Sequence, residues 1–185
     1  MKKSKLIFIG LITLIGFPLI GFVVNFFFGA NSFVEVMDLE NWSYWKSLLG
    51  IIHGVVFGII ALKISSSKLI EDATKKYKSM VDDMEINWFY AIFLSVCAGL
   101  GEEVFFRGVL QEYTGIWITA IVFVAIHGYL NPKNWKLSIY GVFLVLYSAM
   151  LGFFKEEISI WFSIYSHLFF DLVLFISLKT VSTSY

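Results

Sequence analysis

Apolar residues along this chain fall into long runs separated by short polar breaks. The runs cover residues 6–28, 45–64, 87–108, 116–130, 137–154 and 158–178. A helix that crosses a bilayer needs about 20 mainly apolar residues; the fourth run is short for one. The pattern predicts an all-α, polytopic membrane protein of about six transmembrane helices, forming one integral membrane domain over residues 1–185 with no internal repeat. The first run follows MKKSK, as a signal peptide would. A signal peptide, however, has an apolar core of about 7–15 residues and a small-residue cleavage site. Phe28-Gly29-Ala30 places a bulky ring where a small residue is wanted, so an uncleaved first helix is expected.

The lysines between the runs test this count. With the N-terminus inside, Lys2, Lys3, Lys5, Lys63, Lys68, Lys75, Lys76, Lys78, Lys133, Lys136 and Lys179 all fall on the inner side, and only Lys46 and Lys155 fall outside. Cytoplasmic loops carry the excess of basic residues, so the bias predicts a multi-pass protein of the cell membrane with both termini cytoplasmic. The polar stretch SSSKLIEDATKKYKSMVDDMEIN then becomes a partly helical inner loop near anionic headgroups.

Composition agrees. The chain is 58% hydrophobic and 15% charged with no net charge, and its mean hydropathy is +0.79. A soluble domain carries about 25% charged residues. With no net charge, nothing suggests a surface for nucleic acid, and the single Cys97 forms no internal disulfide.

Against that background, GLGEEVFFRG (99–108) puts three charges inside an apolar run. Each charged group at a helix centre costs about 2.5–3.5 kcal/mol on insertion scales. Glu102, Glu103, Arg107 and Asp171, left unpaired, would together cost about 10 kcal/mol, as much as a typical protein's whole stability. Helical geometry divides them. Glu103 and Arg107 stand at i and i+4 and can pair. Glu102 is turned about 100° away, free for another partner. Gly99 and Gly101 allow a neighbouring helix to come close.

Further polar residues lie deep in other runs: His127 in FVAIH, His167 and Asp171 in HLFFD, and His53. His167 and Asp171 are again i, i+4, so the carboxylate can orient the imidazole. At 1.5 Å per residue, Glu102, His127 and His167 lie about 20, 13 and 17 Å from the inner surface, in one central layer. With Asp171, they are expected to meet in one cavity from three helices. Phe123, one turn before His127, is expected to position it. His53 and Cys97 are expected to serve packing, and Gln111 and Glu112 to sit at the membrane interface.

In order, EEVFFR, FVAIH and HLFFD form EExxxR, FxxxH and HxxxD. With these motifs, residues 91–178 resemble the Abi, or CPBP, family of intramembrane proteases. That family includes the type II CAAX prenyl endopeptidases (Ras-converting enzymes) and bacterial proteins of bacteriocin self-immunity and peptide maturation. The resemblance implies that Glu102 activates a water with help from His127, that Glu103 and Arg107 support its helix, and that His167 and Asp171 complete the site, either stabilising the oxyanion or holding a metal. It also implies a peptide or membrane-protein substrate. The family has been described both as zinc metalloproteases, for which Glu102, His127, His167 and Asp171 would be the ligands, and as metal-independent glutamate proteases. Asp171 stands where CAAX endopeptidases typically have Asn, and an ionised Asp accepts hydrogen bonds but donates none. The HExxH of zinc proteases is missing.

Two rival classes keep the same residues for other work. A non-catalytic scaffold or bacteriocin self-immunity protein would retain the site without turnover. A small proton-coupled transporter would be expected to show an inverted repeat, and none is visible.

Overall fold

The computed structural model describes residues 3–29, 33–82, 84 and 86–182, and its regular structure is entirely helical. Helices α1 (Lys3–Leu11) and α2 (Phe17–Phe28) join through a π turn, Ile12–Gly16, into one apolar rod. A short α3 (Phe33–Met37) leads to α4 (Tyr44–Ser65). The polar α5 (Glu71–Asp82) precedes α6 (Trp88–Phe105), which runs through a second π turn, Phe106–Leu110, into α7 (Gln111–Ile126). α8 (Trp135–Glu157) and α9 (Ile160–Ser182) complete the described chain.

Short polar side chains begin three of the spans. Ser43, Asn87 and Asn134 each accept a backbone N–H three residues on, from Lys46, Tyr90 and Leu137. Such capping satisfies amides that the first helical turn leaves without a partner.

Among the described residues, five helices are long and apolar enough to cross a bilayer. The expected third and fourth spans form one 39-residue stretch, Trp88–Ile126, broken at Gly115, where φ is 74° and ψ is 172°. That left-handed φ suits glycine, and the chain turns back there. The segment beyond it, 116–126, is only about 17 Å long, roughly half of a 30 Å hydrocarbon core. The expected helix to residue 130 therefore stops four residues early. Gly128, with φ 79°, leads into irregular backbone, and the Tyr129 carbonyl lies against the bare Cα of Gly141. Non-helical backbone at membrane depth is tolerated where it is buried in protein or lines a cavity. Tyr129 lines two cavities described below.

α9 is the central post. Gly50, Gly54 and Gly58 of α4 pack against the backbone carbonyls of Phe162, Ser166 and Phe170. On another side, Gly99 of α6 meets the Ile164 carbonyl and Leu168 of the same helix. Gly101 faces the π turn of the first rod, with the Thr13 carbonyl at its Cα. Lipid gives helices no hydrophobic reason to associate, so close backbone approach at small residues supplies the packing. Phe8, Phe26, Trp45, Trp88, Trp117 and Trp135 point outward, as a lipid-facing surface requires. This is a multi-pass membrane fold.

At one end of the bundle Glu112 pairs with Lys155. Gln111, expected at the interface, lies at this same end of the bundle. It turns inward, 4% exposed, and donates to the Gly152 carbonyl at 3.0 Å and Glu156 at 2.8 Å. Cys97 is a small buried residue. His53 packs among Phe57, Tyr147, Phe154 and Phe162, its Nδ1 2.8 Å from Ser166 Oγ. Of the lysines counted for topology, the side chains of Lys2, Lys76, Lys78 and Lys179 lie outside the described residues.

The glycine stripe carries a direct expectation. Gly54→Val would drive a branched side chain into the Ser166 backbone, and overpacking of this kind costs about 1–3 kcal/mol. The variant should show a lower melting temperature in detergent than Gly16→Ala, whose added Cβ meets only Ile12 Cγ2, at an ordinary 3.7 Å; equal melting would show that α4 and α9 do not need that contact.

Candidate active site

Because Glu102 and Glu103 are neighbours on a helix, they face different partners, and the structure gives each its own. Glu103 is sealed, with none of its side chain accessible. Its Oε1 lies 3.1 Å from Arg107 Nη1 and accepts from His167 Nδ1 at 2.8 Å. Arg107, on the π turn that follows, donates through Nη2 to the Ser148 hydroxyl at 2.8 Å and the Ser148 carbonyl at 3.2 Å. One acid thus ties α6 to α9 directly, and to α8 through a guanidinium. π turns inside α-helices recur at functional sites; this one carries Arg107.

Phe123 stands at the middle. Its ring lies under the Arg107 guanidinium, 4.8 Å from Cζ. It also packs against His127 at 4.6 Å and His167 at 5.6 Å between centroids.

Both histidines are held by one nitrogen. His127, just past the end of α7, donates from Nδ1 to the Phe123 carbonyl at 2.7 Å, and a carbonyl can only accept. His167 donates from Nδ1 to Glu103. In each neutral ring the other nitrogen, Nε2, therefore carries a lone pair. Each Nε2 faces an acid at 3.6 Å: Glu102 Oε2 for His127 and Asp171 Oδ2 for His167. That separation is beyond a hydrogen bond. Each pair can share one proton, and whichever partner holds it can give it to the other. The expected orientation of His167 by Asp171 is thereby corrected: the group on its bonded nitrogen is Glu103, whose part in holding a histidine the i, i+4 pattern did not suggest.

These groups surround a cavity of about 140 Å³ that touches Glu102, His127, His167 and Asp171. At about 30 Å³ per water, it has room for a few solvent molecules. His127 is its open member, with 35% of the side chain accessible against 10% for Glu102. A second cavity of about 380 Å³ shares Glu102, Tyr129, Tyr140, Asp171 and Leu174 with the first. It extends between the first rod and α6, past Leu6, Ile9 and Ala98, to Ser65, Thr74 and Met84 at the other end.

All four residues expected at the site border one cavity. Their spacing does not make a metal centre: among the described residues, no three His, Cys, Asp or Glu side chains are placed to hold an ion. The zinc set expected of Glu102, His127, His167 and Asp171 is not formed in this arrangement.

Ser148, Tyr129 and Tyr140 escaped the sequence reading. Tyr140, Tyr147 and Ser148 lie seven and eight residues apart, on one face of an apolar helix. That polar stripe was the available signal.

Comparison with known proteins bears on this arrangement. Residues 84–173 match the family described as Type II CAAX prenyl endopeptidase Rce1-like. They contain all the residues just described at the two histidine–acid pairs. The chain is also 34% identical over 67 residues to "Uncharacterized protein YpbD" of Bacillus subtilis (strain 168), a match covering 36% of this chain and 33% of YpbD. The chain thus spans about a third of that relative's length. No solved structure matches.

Breaking a buried pair by removing one partner costs about 3–5 kcal/mol, because the other charge stays behind. Arg107→Ala should therefore lower the unfolding free energy by about that amount in a denaturant titration in detergent. An unfolding curve superimposable on the wild type would remove Arg107 from the account of stability.

Proposed function

We propose that this chain, whose residues 84–173 match the family of Rce1-like type II CAAX prenyl endopeptidases, is an intramembrane endopeptidase whose Glu102 and His127 activate a water. Supporting this reading above all is the Glu102–His127 pair: an acid and an imidazole lone pair 3.6 Å apart, at the junction of two joined cavities.

The chemistry follows from those groups. Glu102 takes a proton from a water in the cavity, and His127 shares it through Nε2. A general base works within about 2.6–3.2 Å of its proton or through one water, and such contacts are often loose before substrate binds. The water oxygen bonds to the peptide carbonyl carbon, and the carbonyl electron pair moves onto its oxygen. When that pair returns, the carbon–nitrogen bond breaks. The leaving nitrogen receives the proton held by Glu102 and His127. One water and one peptide bond become a carboxylic acid and an amine.

His167 and Asp171 form the facing wall. An ionised Asp is an acceptor, so Asp171 suits an N–H of the bound peptide better than its carbonyl oxygen. Glu103 and Arg107 keep His167 and α6 in register from the sealed side. No step here passes through a metal. The larger cavity, walled by Leu6, Ile9, Leu94, Ala98 and Phe175, suits an apolar part of the substrate. With both termini at the cytoplasmic face of the cell membrane, the Ser65–Thr74 end of that cavity receives substrate from the cytoplasmic side.

The test uses the purified full chain in detergent with a farnesylated CAAX peptide and the same peptide unmodified. Glu102→Gln and His127→Ala should each lower turnover by about 10²–10⁴-fold at an unchanged melting temperature, and dialysis against a chelator should leave the wild-type rate intact. Wild-type activity in Glu102→Gln would falsify the base assignment. Preference between the two peptides assigns the substrate class.

A further inference from the structure

Whatever enters this site meets two acids. Glu102 and Asp171 line both the smaller and the larger cavity, where the two join. Glu102 Oε2 is buried and has no hydrogen-bond partner. Asp171 is the more open of the pair, with 22% of its side chain accessible against 10% for Glu102. A bound chain is therefore read by its charge as well as by its shape.

The sign of the site follows from how its groups are paired. Arg107 borders the smaller cavity, but Glu103 answers its charge and Ser148 takes its Nη2. His127 faces Glu102, and His167 faces Asp171. Without an extra proton each of these pairs carries one negative charge. With one, held by ring or acid, the pair is neutral. A protonated His167 that turns Nε2 to the cavity thus brings the Asp171 carboxylate with it. In none of these states is the site positive.

The larger cavity supplies no counter-charge. Among the described residues it is walled by apolar side chains, the Cys97 thiol, hydroxyls and the same two acids. Thr13, Ser65 and Thr74 donate to the Ile9, Leu62 and Ser65 carbonyls. A tyrosine hydroxyl can share a hydrogen bond with an anion but brings no charge to cancel it. Moving a carboxylate from water into such surroundings without a counter-ion is costly.

We propose that Asp171 makes this site select against an anion near the bond that is cut. The favoured substrate is an internal bond of a chain, flanked by neutral or basic residues, rather than a bond beside a free C-terminal carboxylate. This rests on the hydrolytic reading above. A chain spans at most about 3.3–3.6 Å per residue, so a carboxylate three residues from the bond stays within about 11 Å of it. At that range, with an effective dielectric constant of about 20, one uncancelled charge changes affinity on the order of tenfold. The repulsion acts on bound substrate and transition state alike, so it belongs in KM rather than kcat.

The experiment uses the full chain in detergent with three forms of one farnesylated CAAX peptide. The first ends in a carboxylate, the second in a carboxamide, and the third is extended by several uncharged residues. Wild type should cleave the second and third with KM about tenfold below that of the first, at similar kcat. Asp171→Asn keeps the shape and removes the charge, and should bring the three KM values within about threefold of one another. A side chain needed only for packing would shift all three peptides alike and leave their ratios as in the wild type. That result overturns the proposal, as does a wild-type preference for the carboxylate. Cleavage of none of the three by the wild type overturns the hydrolytic reading as well. If Asp171→Asn does not turn over, the ratio is read as Kd by fluorescence anisotropy, in Glu102→Gln and in Glu102→Gln combined with Asp171→Asn. Equal carboxylate-to-carboxamide ratios in those two variants overturn the role of Asp171.

Discussion

The carboxylate of Glu103 is the constraint around which this molecule is arranged. A charge with no exposure to water, deep in an apolar bundle, is tolerated when it is paired and hydrogen-bonded. Glu103 meets the requirement with a guanidinium on its own helix and an imidazole on α9. The guanidinium in turn reaches Ser148 on α8. Three helices are thereby set in rotation and depth by one acid, in surroundings where the hydrophobic effect does little to hold helices together. His167 enters the cavity at a fixed angle because its other nitrogen is held by this acid.

That arrangement separates two adjacent glutamates into different kinds of work. A step of one residue on a helix is about 100°, enough to put Glu103 in a dry interface and Glu102 at a cavity wall. The same logic treats the histidines alike. Each is pinned through Nδ1 to an acceptor and presents Nε2 to an acid across 3.6 Å. The pinning fixes the tautomer, and the open separation leaves room for a proton to move.

The hollow beside them comes from departures from regular helix. The segment beyond Gly115 ends in mid-membrane, and the chain continues as irregular backbone from Gly128. Two π turns lie against α6: one in the first rod, whose Thr13 carbonyl meets Gly101, and one that carries Arg107. Glycines on α4 and α6 let backbones touch around α9. Close packing at one side and an interrupted helix at the other produce a bundle that is tight around α9 and hollow beside Glu102.

Much of this could be read from the residues in order. Apolar run length marked the spans, and i, i+4 spacing marked the Glu103–Arg107 pair, because both depend on local helix geometry alone. The central layer of Glu102, His127 and His167 followed from counting residues at a fixed rise, and Asp171 joined it through its i, i+4 spacing to His167. What stayed hidden depends on contacts between segments far apart in the chain: Glu103 rather than Asp171 on the bonded nitrogen of His167, Ser148 as the far partner of Arg107, Gln111 turned inward to Gly152, and Tyr140 at the junction of two cavities. Local spacing says which side chains share a face of one helix. Which face meets which neighbour is chosen by the packing of the whole bundle, through close approaches at glycines and the cost of leaving any buried charge unpaired.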